Sequence, residues 1–554
     1  MSDAAIGTVL PSPEQPGSDA TIFTQLLQGV SGDRRFNAPL PVHGPTADDP
    51  AGDVEPARVV SLEGDVVSNA AFGTLYIPKD LRVIAGRDIS GLSVHVQHFD
   101  TSNVTTLEAG RDFVYPSTRD AFGRLRRNFG QVIVDGPGAI EIIAARDFDL
   151  QASQGIVSRG NLGNPALAAV GADVSIMAGA DATTLGYEAF AARYLIASST
   201  YDDALAAYVT RLLGRTPASR DEALTAFAAL PLPLQRPFYQ AVLFAEIRAG
   251  GRSAAQPGST NGDFTRAFEA LETYYPGSNP DVDDGGVNAY SGDIRLFFSR
   301  VYTLSGGSIA LLAPGGEINV GLATPPVAFG LSKEPSELGI VVQSTGSVAG
   351  VAFDDFQVNE SRTFAADGGD ILIWSTRGDI DAGRGAKTAI SAPPPVISVD
   401  SNGQVVLTYP AALSGSGIQT LATTPGREPG DVDLFAPRGV VDAGDAGIVA
   451  GNLTIAATAV LGANNIQVSG TAVGVPVDAS GLGASLTGVS SVASAATAAA
   501  ETAVEPGAGA EGSTADDDLG GQALSWLDVF VVGLGEEQCD PKDVECLRRQ
   551  KKDE

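Results

Sequence analysis

The sequence predicts a mainly β chain coiled as a solenoid with an α-helical insertion, and three observations predict it. The first is a long-period repeat. Gly307-Ser-Ile-Ala-Leu-Leu-Ala-Pro-Gly-Gly-Glu-Ile-Asn-Val-Gly321 aligns with Gly369-Asp-Ile-Leu-Ile-Trp-Ser-Thr-Arg-Gly-Asp-Ile-Asp-Ala-Gly383, and both align with Gly430-Asp-Val-Asp-Leu-Phe-Ala-Pro-Arg-Gly-Val-Val-Asp-Ala-Gly444. The offsets are 62 and 61 residues, and Ser299-Arg300-Val-Tyr-Thr matches Ser361-Arg362-Thr-Phe-Ala at 62 again. The second is a set of short β-branched runs, Leu81-Arg-Val-Ile-Ala, Gln131-Val-Ile-Val and Ala139-Ile-Glu-Ile-Ile, each closed by Gly or by an Arg-Asp turn. The third is composition. Apolar residues make up 44% of 554 residues, with 66 Gly but only 2 Cys, 2 Met, 2 Trp and 3 His; that is apolar enough for a large core, and repeat folds lengthen along one axis instead of splitting into globules.

Taken in order, residues 1–55 are rich in Pro, Asp, Gly and Ser and read as a mostly irregular leader, with one helix-like stretch at Thr21 to Val30. Residues 56–184 form the first part of the solenoid. They carry the turn unit Ala85-Gly86-Arg87-Asp88-Ile89, repeated as Ala109-Gly110-Arg111-Asp112-Phe113 and Ala144-Ala145-Arg146-Asp147-Phe148. Residues 185–278 break the pattern: Tyr187, Phe190, Ala191, Tyr194 and Leu195 follow helical spacing. Helices are expected also at Ala204 to Leu213, Arg220 to Leu230, Pro237 to Arg248 and Phe264 to Tyr274. Residues 279–480 resume the solenoid. Ile309, Leu311 and Ile318 correspond to Ile371, Ile373 and Ile380, then to Val432, Leu434 and Val440, as alternation on a half-buried strand requires. The central Gly of each copy is expected to turn a corner through positive φ. At about 20 residues per coil, each period would hold roughly three coils. Residues 481–520, rich in Ala, Gly, Ser and Asp, read as a disordered linker, and 521–554 as a charged tail with both cysteines.

Charge narrows the function classes. With 35 basic and 66 acidic residues the net charge is −31, the opposite of a nucleic-acid footprint, so no nucleic-acid partner is expected. No window supplies the ~18 apolar residues of a membrane-spanning helix. The start, Met1-Ser-Asp-Ala-Ala-Ile-Gly, lacks the basic and apolar regions of a signal peptide, so an export signal is expected to lie outside this chain.

The run Ser361-Arg362-Thr-Phe, continued by Gly368-Gly-Asp-Ile-Leu-Ile-Trp-Ser-Thr-Arg-Gly-Asp-Ile-Asp-Ala-Gly-Arg-Gly-Ala-Lys-Thr388, resembles the filamentous haemagglutinin family of two-partner-secretion exoproteins near their C-termini. Gly306-Gly-Ser-Ile-Ala-Leu-Leu, the Ala-Gly-Arg-Asp-Ile units and Ser525-Trp-Leu-Asp-Val-Phe-Val fit the same resemblance. It implies a right-handed parallel β-helix, passage through an outer-membrane transporter, and a structural or adhesive role on a Gram-negative cell surface or outside it, against a host or bacterial receptor or glycan. The family's N-terminal secretion domain is missing, so the chain is expected to be the C-terminal portion of a longer exoprotein or the product of a split gene.

Each candidate site has a plainer explanation beside it. Arg377-Gly378-Asp379 is the tripeptide of integrin ligands, but it falls on the repeat's corner, where a turn explains it as well. Asp281, Asp283 and Asp284 before Gly-Gly offer oxygen ligands as calcium loops do, without the closing Glu; a solvated acidic loop is the simpler reading. His95 and His98 lack a third ligand at metal spacing, and no Ser-His-Asp order or phosphate-cradling Gly-Lys-Ser occurs. Asn319, Asp381 and Asp442 align as corner residues, either an acidic ladder or plain turn formers. Cys539 and Cys546 could close a small disulfide loop in an oxidising compartment, which the resemblance links to anchoring at the transporter; otherwise they are inert residues of a frayed tail. The sequence therefore predicts a non-enzymatic protein with no cofactor and no catalytic residues. The competing class is a carbohydrate-active β-helix enzyme or polysaccharide-binding module with a cleft under the 185–275 helices, which would need two or more carboxylates converging in one groove.

Overall fold

The structure is a computed structural model. It describes residues 55–476, except for short breaks at 69–73, 122–124, 127, 163–166, 257–262, 282–286, 324–332, 392–395, 400–404 and 409, together with the strand Ala4–Ile6. The expected helix at 21–30, the linker, the tail, Asp283, Asp284, Cys539 and Cys546 lie outside the described residues.

The chain winds as a parallel β-solenoid in which each coil contributes up to three strands. A long face runs through Ala57–Ser61, Leu81–Ala85, Val104–Ala109, Ala139–Ala144, Asp173–Ala178, Ile309–Ala313, Val348–Ala352, Ile371–Ser375, Val432–Asp442, Leu453–Leu461 and Ala472–Val473, every neighbouring pair parallel. A short face of mostly two-residue strands follows each long strand, from Val66–Ser68 to Ile380–Asp381. The third face is a separate ten-stranded parallel sheet from Leu75–Ile77 to Ile466–Val468.

Alternation along each strand builds the core. On the long face Leu81 and Val83, Ile140 and Ile142, Val174 and Ile176, Ile309 and Leu311, Ile371 and Ile373, and Val432 and Leu434 all point inward and are buried. Val66, Ile89, Phe113, Phe148, Ile294, Ile318, Phe356, Ile380 and Val441 supply one inward residue per coil from the short face. Since parallel pairing places like on like, Phe113 stacks on Phe148 with ring centroids 5.2 Å apart.

Three sequence expectations change here. Ile309 pairs Val348 and Val348 pairs Ile371, so the 62-residue offset holds two coils, not three. Ile371 pairs Val432 directly, so the 61-residue offset is a single coil carrying an excursion. The partner of Ile380 is Val441 and not Val440, which puts Val441 in the core and Val440 at the surface side of the corner. The near-equal offsets are thus sums of unlike parts.

Two excursions leave the coil. One, between Asp173–Ala178 and Ile294–Arg295, carries α1 (Tyr187–Ala191, running on as a wider turn to Ile196), α2 (Asp202–Leu213), α3 (Arg220–Ala228), α4 (Leu232–Ala254) and α5 (Thr265–Tyr274). α4 is longer than Pro237 to Arg248 in both directions; Pro237 is its sixth residue, inside the helix, where it removes one intrahelical hydrogen bond. The other excursion, between Ile380–Asp381 and Gly417–Leu421, forms two antiparallel pairs, Ile390–Ser391 with Leu413–Ser414 and Val396–Val399 with Val405–Thr408. From it Leu413 joins Val157, Tyr302, Val341 and Phe364 in an apolar stripe on the outer side of the third face.

Candidate functional site

The corner between the long and short faces gathers most of the motifs that the sequence singles out. In most coils an acidic side chain there accepts the backbone N–H of the matching residue one coil on. Asp88 N–H donates to Asp65 at 3.0 Å, Asp112 to Asp88 at 3.2 Å, Asp147 to Asp112 at 3.1 Å, Asp293 to Asp147 at 3.0 Å and Glu317 to Asp293 at 2.9 Å. The series resumes with Asp379 N–H on Asp355 at 2.8 Å and Val440 N–H on Asp379 at 2.7 Å. A buried or half-buried N–H without a partner is costly, so each carboxylate joins two coils where strand pairing is interrupted.

Arg377-Gly378-Asp379 is one rung of this ladder. Asp379 both donates and accepts along it, and the Arg377 guanidinium lies 4.9 Å from the Phe353 ring centroid. The corner glycines are required for space and not for positive φ. A Cβ on Gly378 would stand 2.3 Å from Asp355 Oδ1, and one on Gly439 would stand 1.8 Å from Gly378 O. The Ala-Gly-Arg-Asp units are earlier rungs, where Arg111 pairs with Asp88 at 2.6 Å and Arg146 pairs with Asp112. Burial works against the Asp112 charge, yet hydrogen bonds from Arg146 and the Asp147 N–H hold its carboxyl below the usual range.

The aligned Asn319, Asp381 and Asp442 are turn formers. Each accepts the N–H two residues on, from Gly321 at 3.2 Å, Gly383 at 2.7 Å and Gly444 at 2.8 Å. Gln357 stands between Asn319 and Asp381 in the stack. Asp281 is exposed, and among the described residues no group of three His, Cys, Asp or Glu is placed to hold a metal ion.

His95 and His98 serve the stacking of the coils. Asp135, a partner not evident from spacing, receives His95 Nε2–H at 2.7 Å and a two-pronged contact from Arg159 at 2.8 Å. Burial opposes its charge, but Arg159 and His95 bring its carboxyl well below the ordinary range. His98 is fully buried; Nδ1–H donates to Pro137 O and Nε2 accepts from the Thr105 hydroxyl, both at 2.8 Å. Burial lowers its pKa to about 4.

The helical excursion roofs the outer side of the long face. Ile143, Met177, Leu312, Val351, Leu372, Trp374 and Phe435 face outward there and are buried against Phe190, Tyr239, Leu243, Ile247 and Leu271. Phe264 and Phe268 meet the Trp374 ring edge to face at 5.7 and 5.6 Å. α4 is fixed at both ends by ion pairs: Arg236 to Glu141 at 3.0 Å, and Arg248 and Arg252 to the fully buried Asp433 at 2.9 and 2.8 Å. A Cβ on Gly251 would fall 2.3 Å from the Phe435 ring, so glycine lets the helix lie down on the sheet. The sequence signal for the roof was apolar residues at both alternating sets of positions in Ile309–Ala313, Ile371–Ser375 and Val432–Ala436, the mark of strands covered on both sides. Beside the roof a notch of about 130 Å³ opens, lined by Val104, Val170, Asp173, Tyr208, Arg211 and Leu234 among others. Its one lining carboxylate, Asp173, accepts Ser308 N–H at 2.7 Å.

Fold and corner together define a class: a parallel β-solenoid whose polar motifs serve coil-to-coil stacking. More specifically, residues 368–477 match the family described as "Filamentous haemagglutinin family outer membrane protein", the family that the sequence resembles. No curated protein and no solved structure matches the chain. Among the described residues no helix is long and apolar enough to cross a membrane.

Proposed function

We propose that this chain is a non-enzymatic structural and adhesive C-terminal portion of a filamentous haemagglutinin-like exoprotein, displayed on or released from a Gram-negative cell surface through an outer-membrane transporter. The observation that supports it most is the disposition of the carboxylates. Most accept a backbone N–H on the corner ladder or anchor α4, although Glu317, Asp354 and Asp355 gather beside Asp293 at the corner, whereas hydrolysis of a polysaccharide needs two of them flanking one bond. The family match over 368–477 and its outer-membrane description support the location. In this reading Arg377-Gly378-Asp379 stacks coils and does not bind a receptor, and Cys539 and Cys546 form a loop that retains the chain end at the transporter. Fractionation of cells with and without the transporter gene tests the export: the chain should reach the surface or medium only when the transporter is present, and retention in the cytoplasm of both strains would defeat the proposal. Adhesion by the purified chain should survive Asp379→Glu, and Cys546→Ser should raise release into the medium.

A further inference from the structure

The carboxylates that anchor the two ends of α4 are bonded unequally. Asp433 has a guanidinium nitrogen on each oxygen, Arg252 Nε at 2.8 Å and Nη2 at 2.9 Å, with Arg248 Nε also 2.9 Å away. Glu141, only 2% exposed, has a donor on one oxygen: Arg236 Nη1 reaches Oε2 at 3.0 Å, while Oε1 is buried with no hydrogen-bond partner. The same Arg236 nitrogen lies 3.6 Å from Glu108 Oε1 on the preceding coil. One guanidinium thus stands between two carboxylates, and Arg82, at 3.6 Å, is a second cation near Glu108.

The other neighbours of Glu141 do not supply the missing donor. In the stack it lies between Thr106 and Ser175, and the Ser175 hydroxyl donates instead to Gln240 at 3.0 Å. Tyr187 of α1, Tyr208 of α2 and Tyr274 of α5 feel the Glu141 charge; burial raises each phenol, so all three are neutral at neutral pH. An ionised carboxylate here leaves an acceptor unmet, whereas a carboxylic acid carries its own donor and no charge. Burial, with Glu108 beside it, pushes the Glu141 pKa up to about 7 in spite of Arg236. Ile143, on the same side of the same strand, and Met177 on the next coil are kept from water by the roof. Leu234 and Pro237, which flank Arg236, line the notch together with Val104, Ala139 and Asp173 of the coils, so a gap between helix and coils begins at this end.

We propose that Glu141 is a proton-operated latch on the helical roof: protonated, it lets the Arg236 end of α4 lie closed on the coils, and ionised, it shifts that end towards an open form while the Asp433 end stays fixed. Opening starts at the notch and uncovers Ile143 and Met177. In the open form Glu141 is solvated and keeps its ordinary value of 4.5, against about 7 when closed, so closing takes up a proton. Closure is therefore strongest below pH 4.5, weakens as pH rises from 4.5 to 7, and levels off above 7. The inference goes beyond the structural and adhesive reading and stands independently of it, since opening can be measured whether or not the chain adheres to cells.

The test is hydrogen exchange of the full chain between pH 5 and 7.5, corrected for the intrinsic rate and read separately in residues 232–243 and 244–254. Protection of 232–243 should fall about tenfold or more by pH 7.5, as a carboxyl raised by more than one unit requires, with little change in 244–254. Glu141→Gln is neutral at every pH and should keep the protection seen at pH 5 throughout. Glu108→Gln removes the competing acid, so the midpoint of the loss should move to lower pH. His98 is present in all three proteins, so a loss that persists in Glu141→Gln belongs to another group and overturns the latch. Equal protection of 232–243 across the range in the wild type overturns it too, as does an equal loss in 244–254, which would mean that the whole helix opens. Should Glu141→Gln fail to fold, an unmoved midpoint in Glu108→Gln is enough to reject the proposal.

Discussion

Coils before and after the helical excursion share one backbone plan but hold their corners differently. Before it, the residue preceding the corner aspartate is Arg87, Arg111 or Arg146, and each aspartate meets both a backbone N–H and a guanidinium. After it, that position is Gly292, Gly316, Asp354, Gly378 or Gly439. There burial, reinforced by Asp293, Asp355 and Asp354, raises the Glu317 carboxyl despite Arg295, and burial with Asp355 and Asp293 raises Asp354. The later coils carry most of the apolar outer face beneath the helices, Leu312, Val351, Leu372, Trp374 and Phe435, which continues onto Ile143 and Met177 of the last two coils before the excursion. The earliest coils are thus tied mainly through arginine–aspartate pairs at an edge, and the late coils mainly through apolar burial across a face.

Four experiments can break or sharpen that contrast. The largest effect should come from the roofed coils. Trp374→Ala removes a fully buried ring and should lower unfolding stability by about 3–5 kcal/mol, measured by urea denaturation; a loss under about 1 kcal/mol would mean that the helices do not stabilise the late coils.

Next is His98 in the early coils. Its folded pKa of about 4 lies below the unfolded value of 6.5, so the unfolded chain binds the extra proton first. The contribution is fully present above pH 6.5 and is lost as pH falls towards 4, up to about 3 kcal/mol. Hydrogen exchange between pH 7 and 4.5 should show the early coils loosening, with a flatter pH slope in His98→Gln.

Smaller is the corner itself. Asp112→Ala strands the Asp147 N–H and Arg146 and should cost about 1–3 kcal/mol, more than Asp379→Ala, which strands the Val440 N–H with no paired arginine at the preceding corner position. Equal losses would show that the arginines add nothing. The smallest effect is expected at Asp354. Its raised folded pKa means that ionisation there opposes folding, so stability should rise slightly as pH falls from 7 towards its folded pKa, and Asp354→Asn should remove that rise.

The coils were legible in the sequence because parallel stacking repeats one inward residue at a time. Gly307 to Gly321, Gly369 to Gly383 and Gly430 to Gly444 are each a long strand, a corner and a short strand. Their number per period was not legible, because Val348 to Gln357 between them has drifted, with Gly350 making room for the Phe356 ring. The role of the corner aspartates was half visible. Arg-Asp recurs as text, but that each Asp reaches the next coil's N–H depends on residues up to 146 positions away, as for Asp147 and Asp293. Asp135 was invisible as the partner of His95 for the same reason: burial and pairing are properties of the stacked coils and not of the local sequence.

The anchored ends of α4 have a consequence for how the protein can change. Glu141 and Asp433 stand five strand spacings apart along the long face, about 24 Å at the usual spacing. Arg236 and Arg252 are sixteen residues apart on the helix, again about 24 Å. Helix and stack therefore measure the same length in different units, and one further coil would carry Asp433 about 4.8 Å out of reach, some three residues of helix. Between those anchors the molecule can lengthen its corners, as it does by whole subdomains, but it cannot gain or lose a coil without remaking α4. Among the described residues, no helix spans the coils outside that interval.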